Sequence, residues 1–321
     1  MRRFFLLTAK ILISAGLLFV ALRGVNVAAL TQRIAQISPV WIGAAVVVTL
    51  VQVVLGAARW QIITRQCGVP LTFREVLRYN FIGVFFNQTL PSSIGGDAVR
   101  LWLLSRSGAG WLKASYSVLV DRAIGLIAIA VIVVASLPWS YHLINDESGR
   151  MALILIDVVA ISGGIAFLLM GTLSWRWLQQ WWATRHVHGC AVIANKVIFN
   201  TRTGPVMTAL SLSIHVFAVL IAWCVVRSFD APVTFAQTFL LIPPIMLITM
   251  LPISIAGWGV REASMMVAFG YAGLAPADGL LVSLLFGIAN FAAGAIGGLV
   301  WVLSSSLTLP REPPPALDEA P

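Results

Sequence analysis

Charged side chains are scarce in this chain: 12 Asp+Glu and 21 Lys+Arg over 321 residues, 10% of the total. Ordinary soluble domains carry roughly 25%, so this one lacks the charge to cover a water-facing surface. Cysteine is scarcer still. Cys67, Cys190 and Cys224 stand at spacings that fit neither a disulfide framework nor a zinc site, and free thiols are expected. No Gly-rich loop followed by Lys-Ser/Thr occurs, so the chain itself is expected to consume no ATP. What it has instead is apolar sequence, 59% hydrophobic with a mean hydropathy of +0.93.

Apolar runs near 5–22, 39–58, 116–137, 151–173, 206–226 and 278–305 are each about long enough to cross a bilayer core. Those at 76–90 and 240–256 are shorter or broken by proline. The prediction is an all-α polytopic membrane protein with about six full transmembrane helices and two re-entrant helical hairpins. The N-terminal run follows Arg2-Arg3 as a signal peptide would, but no small-x-small cleavage site follows, so a retained first helix is expected. With the N-terminus inside, only Arg23, Arg33, Arg150, Arg227 and Arg261 of the 21 Lys+Arg fall on the outer face. That bias obeys the positive-inside rule and predicts cytoplasmic termini. The formal charge of +9 then reflects topology and anionic lipid head groups rather than nucleic acid.

The chain also repeats itself. Leu90-Pro91-Ser92-Ser93-Ile94-Gly95-Gly96-Asp97-Ala98-Val99-Arg100 returns as Leu251-Pro252-Ile253-Ser254-Ile255-Ala256-Gly257-Trp258-Gly259-Val260-Arg261, identical at seven of eleven positions. Upstream, Pro70, Thr72 and Phe73 match Pro232, Thr234 and Phe235 with a one-residue slip. Repeat halves of about 38–137 and 206–305, separated by the single crossing at 151–173, face opposite ways. An inverted repeat with Pro/Gly-broken segments at matching places points to a transporter site at the repeat interface. A single transmembrane domain is expected over 1–309, and a disordered, Pro-rich cytoplasmic tail over 310–321.

Ionisable residues at bilayer depth are costly and therefore functional candidates. Asp97 and Arg100 follow the turn residues Pro91, Gly95 and Gly96, and share one face if a half-helix begins near Ser93. The N–H groups opening such a half-helix can hold an anion. Arg59 ends the second crossing, Asn87 precedes the first turn, and Asp121-Arg122 open the third crossing. Arg261-Glu262 follow Pro252, Gly257 and Gly259. A structural reading competes: Arg–Asp pairs that neutralise one another and pin the hairpins. Asp157 either lines a pore as a protonatable carboxylate or reaches the membrane edge. Trp175, Trp177, Trp181 and Trp182 with Arg176 and Arg185 suggest an interfacial segment. His186-Val187-His188-Gly189-Cys190 reads as juxtamembrane sequence rather than a metal site, and no cofactor is expected.

Arg59, then Asn87-x-x-Leu90-Pro91-x-x-x-Gly95-Gly96-Asp97-x-x-Arg100, Asp121-Arg122, Pro252 and Gly257-x-Gly259-x-x-Glu262 resemble the lysylphosphatidylglycerol synthase transmembrane-region family over roughly residues 10–300. The resemblance implies a flippase-like domain of the bacterial inner membrane that moves a phospho- or glycolipid between leaflets. Its partners would be lipids with anionic or polar head groups, with a separate lipid-synthesis enzyme as a further candidate. On that reading Arg59, Arg100 and Arg122 hold the head group from the cytoplasmic side, Arg261 and Glu262 from the other. Asp97 and Asp121 orient the arginines, and movement would be driven by the lipid gradient or by protons passing through Asp97, Asp157 or Glu262. Unlike fused members, the chain ends at residue 321 without a soluble synthase domain, so head-group synthesis is not expected. Two rival functions remain at this stage: a membrane-embedded head-group transferase using Asp97 or Asp121 as base, and a non-transporting scaffold for a lipid-synthesis complex.

Overall fold

The computed structural model describes residues 33–90, 94–173, 181–250 and 259–305. The expected first helix at 5–22, the tail, Pro91, Pro252, Gly257, Trp175 and Trp177 lie outside the described residues. Among the described residues the architecture is all-helical. Its helices are α1 (Pro39–Gln66), α2 (Phe73–Thr89), α3 (Gly95–Leu104), α4 (Gly110–Leu143), α5 (Glu147–Met170), α6 (Trp182–Ile198), α7 (Gly204–Ser228), α8 (Phe235–Thr249), α9 (Val260–Tyr271) and α10 (Pro276–Ser305). Helices α1, α4, α5, α7 and α10 are long and apolar enough to span a bilayer. They coincide with five of the six predicted crossings.

The repeat is built into the chain's local chemistry. Thr72 and Thr234 each cap the helix that follows, and each forms a reciprocal capping box, with Glu75 and Gln237 respectively. The loops before them share a backbone pattern: Leu71 N–H donates to Val69 and Val69 N–H to Thr64, while Val233 N–H donates to Ala231 and Ala231 N–H to Val226. Packing follows the same symmetry. Helix α2 lies against α10 as α8 lies against α4, and α1 touches α10 as α7 touches α4.

The extensively packed pair α1 and α7 runs antiparallel. Ser38 N–H, before α1, donates to the carbonyl of Ser228 at the end of α7, and Gln52 reaches the carbonyl of Ile214 midway. Each hairpin follows the C-terminal end of its long helix. The two hairpins therefore enter the bundle from opposite ends, as an inverted repeat requires.

The first hairpin folds back on itself. Gly83 of α2 lies where its carbonyl and the Gly96 backbone of α3 exclude any Cβ at Gly96, and the Arg100 side chain packs over Gly83. At 1.5 Å per residue α2 and α3 reach only about 26 and 15 Å, short of a bilayer core of about 30 Å. A π-type turn at 105–109, with Gly108 and Gly110 at positive φ, then reverses the chain into α4. Asp97 near the hairpin tip meets Arg122, about 18 Å along α4, so the tip ends at mid-helix. The second hairpin repeats this with α8 and α9 of 15 and 12 residues. Pro243 and Pro244 lie inside α8, which runs on through them; the backbone groups they leave unpaired are tolerated at depth where protein surrounds them.

Helix α5, between the halves, is peripheral. It packs chiefly on α4 and α6, and much of its apolar surface is left outward. Helix α6 buries Cys190, Ala191, Ala194 and Val197, while Trp181 and Trp182 are exposed beside it.

Candidate functional site

The charged residues of the first half form one continuous chain. Arg59 at the end of α1 donates through Nε to Asp121 Oδ1 at 2.9 Å. Arg100 of α3 donates through Nη2 to Asp121 Oδ2 at 3.0 Å and through Nη1 to Asp97 Oδ1 at 3.3 Å. Asp97 Oδ2 accepts from Nε of Arg122. Three elements thus supply five charges, and three arginines against two aspartates leave one positive charge in excess.

Each position follows from local structure. Asp97 and Arg100 stand one turn apart on α3, which lets them pair along the helix. Asp121 and Arg122 are consecutive on α4, so their side chains diverge, one inward to Arg59 and Arg100, the other along the groove to Asp97. Arg59, Asp97, Arg100 and Asp121 are buried, and the Arg122 side chain is 40% exposed. The Arg100 guanidinium also stacks over the buried Trp60 ring, 4.0 Å from its centroid. Two buried donors, Arg59 Nη1 and Arg100 Nε, have no hydrogen-bond partner among the described residues. A charged pair buried this way is stable only when its remaining donors are met, so these two nitrogens mark where the chain's hydrogen bonding is incomplete.

Arg122 and Asp97 open onto a cleft of about 390 Å³ between α3 and α4. Its other walls are largely apolar: Ala98, Leu101, Val118, Leu119 and Leu126, with Ile94 at the tip of the first hairpin. Met250, at the end of α8, closes it from the second hairpin. The two hairpins therefore meet at one cavity that is charged at a single edge, with Ser115 as its other polar lining residue.

Asn87 and the glycines hold this arrangement. Asn87 Oδ1 accepts from Gly96 N–H at 2.8 Å, the cap that Ile94 at the N-cap position cannot supply. One of the N–H groups expected to be open to an anion is thus engaged by the protein, and the half-helix starts at Gly95, close to where it was expected. A Cβ on Gly95 would stand 2.7 Å from Leu90 Cβ.

The second half is a neutralised counterpart. Arg261 donates through Nε to Ser283 Oγ at 2.9 Å and through Nη2 to Glu262 Oε1 at 3.1 Å. Ser283 donates to the same Oε1 at 2.7 Å, and Gly259 N–H to Oε2 at 2.6 Å. Glu262 is fully buried and both its oxygens are engaged in closing the turn at Gly259, whose φ of 83° suits glycine. The motif's offset takes Asp121 to Val282, so Ser283 takes the comparable place against Arg261 only with a one-residue slip, and its role was not expected. Trp60 and Gly83 were also missed: Trp60 stands beside Arg59, but nothing in the sequence singles out Gly83.

Other expected features resolve locally. Asp157 is 2% exposed in mid-α5, and neither carboxylate oxygen has a hydrogen-bond partner among the described residues. It stays inside and does not reach the membrane edge. His186 pairs with the Tyr116 hydroxyl at 2.8 Å and His188 with the Met170 carbonyl, which leaves the His-Val-His-Gly-Cys run bound to protein. The three cysteines are free.

Long apolar helices in an inverted repeat, wrapped around a buried charge chain, define a multi-pass membrane protein. The chain belongs to the lysylphosphatidylglycerol synthase transmembrane-region family, whose model matches residues 7–298. It is 24% identical over 120 residues to a UPF0104 membrane protein of Pyrococcus horikoshii, a match covering 36% of this chain and 35% of that relative. A UPF0104 membrane protein of Methanocaldococcus jannaschii is 23% identical over 277 residues, 79% of this chain and 81% of the relative.

Proposed function

We propose that this protein moves a lipid with an anionic head group between the leaflets of the cytoplasmic membrane, with its termini on the cytoplasmic side. The observation that carries the proposal is the cleft between α3 and α4: apolar walls with one charged edge, where Arg122 stands half-exposed and Asp97 links it to the buried arginines. A lipid is apolar over most of its length and charged at one end, and the cleft has that distribution. The excess positive charge favours a phosphate, which guanidinium binds with two parallel hydrogen bonds. The acyl chains stay in the bilayer while the head group exchanges with Asp97 for Arg122. The meeting of the hairpins at Met250 supports a path reached from both faces.

A phospholipid carrying a photoactivatable group on its head tests this reading. Adducts are expected on Ile94, Leu119 or Met250, and are expected to be lost in Arg122→Ala while the protein still inserts and elutes as one species. Adducts confined to the outer faces of α5 and α10, unchanged by Arg122→Ala, would contradict it.

A further inference from the structure

Helix α5 is the one described spanning helix that belongs to neither repeat, and it is held in an unusual way. Both ends are pinned. At the first, Gly149 is packed so closely on the Tyr271 ring that a Cβ would stand 2.6 Å from it, and Asn145 N–H donates to the Tyr271 carbonyl. At the other, Gly171 sits against Ala191, and Asn195 donates to the Leu168 carbonyl. Between the ends α5 is flanked by half-open grooves. Cavities of about 260, 270 and 360 Å³ lie along α5, the first beside Leu153 and Ile156, the other two beside Ala160 and Gly164. Asp157 occupies the closed stretch between them, buried and without a hydrogen bond.

Among the described residues no counter-charge comes near. The register of Gly164 against Ile127 sets Asp157 opposite about residues 134–136 of α4, Val134-Ala135-Ser136. The closest α4 cation toward the charge chain, Arg122, is then about 20 Å away at 1.5 Å per residue, and His142, exposed toward the other end of α4, about 10 Å. On α6, His188 binds at Met170, about 20 Å along α5, and Tyr271 of α9 sits at Gly149, about 12 Å the other way. Arg150, on α5 itself, is engaged by the Ile144 carbonyl and the Tyr141 ring. The cavity-lining residues of α8, Leu240 to Ile248, carry no ionisable group. A carboxylate in such a place has no donor among the described residues, and an unpaired buried charge is costly. A metal cation would need several oxygens at once. The only side-chain oxygens lining these cavities are those of Ser140, Ser264 and Tyr271, all in the first.

We infer that Asp157 is a proton-binding site, and that uptake and release of its proton couple α5 to lipid movement. With the proton on, the neutral acid lies against α4. When the proton leaves, the carboxylate draws water into the flanking cavities and the middle of α5 swings out about its pinned ends. Proton binding stands on the geometry of α5 alone; coupling rests on the lipid-transport reading above.

Infrared titration of the purified protein in nanodiscs separates the two. A protonated-carboxyl carbonyl band is expected at neutral pH and is expected to vanish in Asp157→Asn. In proteoliposomes, a pH gradient should accelerate wild-type lipid movement and leave Asp157→Asn unaffected. Asp157→Leu is expected to melt no lower than wild type, because an apolar group replaces a neutral one. Identical carboxyl bands in wild type and Asp157→Asn, or inability of both neutral variants to fold, would overturn proton binding. An Asp157→Asn protein that still answers the pH gradient would overturn coupling. If neither protein moves lipid but the band behaves as expected, the transport reading fails and the proton site stands.

Discussion

Asp121 holds Arg59 at 2.9 Å and Arg100 at 3.0 Å, one with each oxygen, in a place almost closed to solvent. Asp121→Asn keeps the shape and removes the charge. The amide nitrogen would then face one of the two guanidiniums as a second donor, and three arginines would share the single carboxylate of Asp97. Losing one partner of a buried ion pair costs about 3–5 kcal/mol, mostly because the remaining charge stays desolvated. Here Arg59 loses its carboxylate and Arg100 keeps only the longer contact to Asp97, so the upper half of that range is expected. Chemical denaturation in detergent, followed by tryptophan fluorescence, would report it, since Trp60 lies under Arg100. Asp121→Asn combined with Arg59→Met should recover part of the loss, because the second change removes a stranded charge. A loss below about 1 kcal/mol for Asp121→Asn, or no recovery in the double variant, would refute the claim that this chain is a coupled, desolvated unit.

Arg122→Ala should abolish photolabelling of the cleft yet lower stability by no more than about 1 kcal/mol, since a partly exposed pair contributes little; Arg100→Ala should lose both. Arg100→Lys should restore lipid movement only in part, because ammonium lacks the planar two-pronged geometry of guanidinium. Gly83→Val and Gly96→Val strike one contact from its two sides and should each cost about 1–3 kcal/mol or more from overpacking, read as loss of monodisperse protein. Cysteines introduced at 140–149 should label from outside, and at 106–113 only after permeabilisation. Native Cys67 and Cys190 should stay silent, because burial pushes both thiols up to about 11.

The spanning helices were legible because a bilayer demands long apolar runs, and the repeat because its turns need Pro and Gly at fixed places. Charge grouping was legible only as a list: Arg59, Asp97, Arg100, Asp121 and Arg122 were expected together, but who binds whom depends on the α3–α4 reversal at Gly108 and Gly110. Asn87 and Glu262 show the limit from the other side. Both were expected at the head-group site, and the structure gives each a local partner: Asn87 caps α3 and Glu262 closes the Gly259 turn. A polar residue beside a helix start serves either role, and sequence does not distinguish a backbone N–H from a ligand. Gly83 was silent because a glycine within an apolar helix acquires meaning only from the backbone that approaches it.

The most direct test of the central claim is leaflet exchange by the purified protein in vesicles containing a fluorescent anionic phospholipid, quenched from outside by a membrane-impermeant reductant. Wild-type vesicles are predicted to lose nearly all fluorescence, whereas those with Arg122→Ala or Arg100→Ala lose only the outer-leaflet half. Wild-type vesicles that stop at the same half as protein-free ones, with the protein folded and inserted in both orientations, would contradict the account and favour a scaffold or an enzyme.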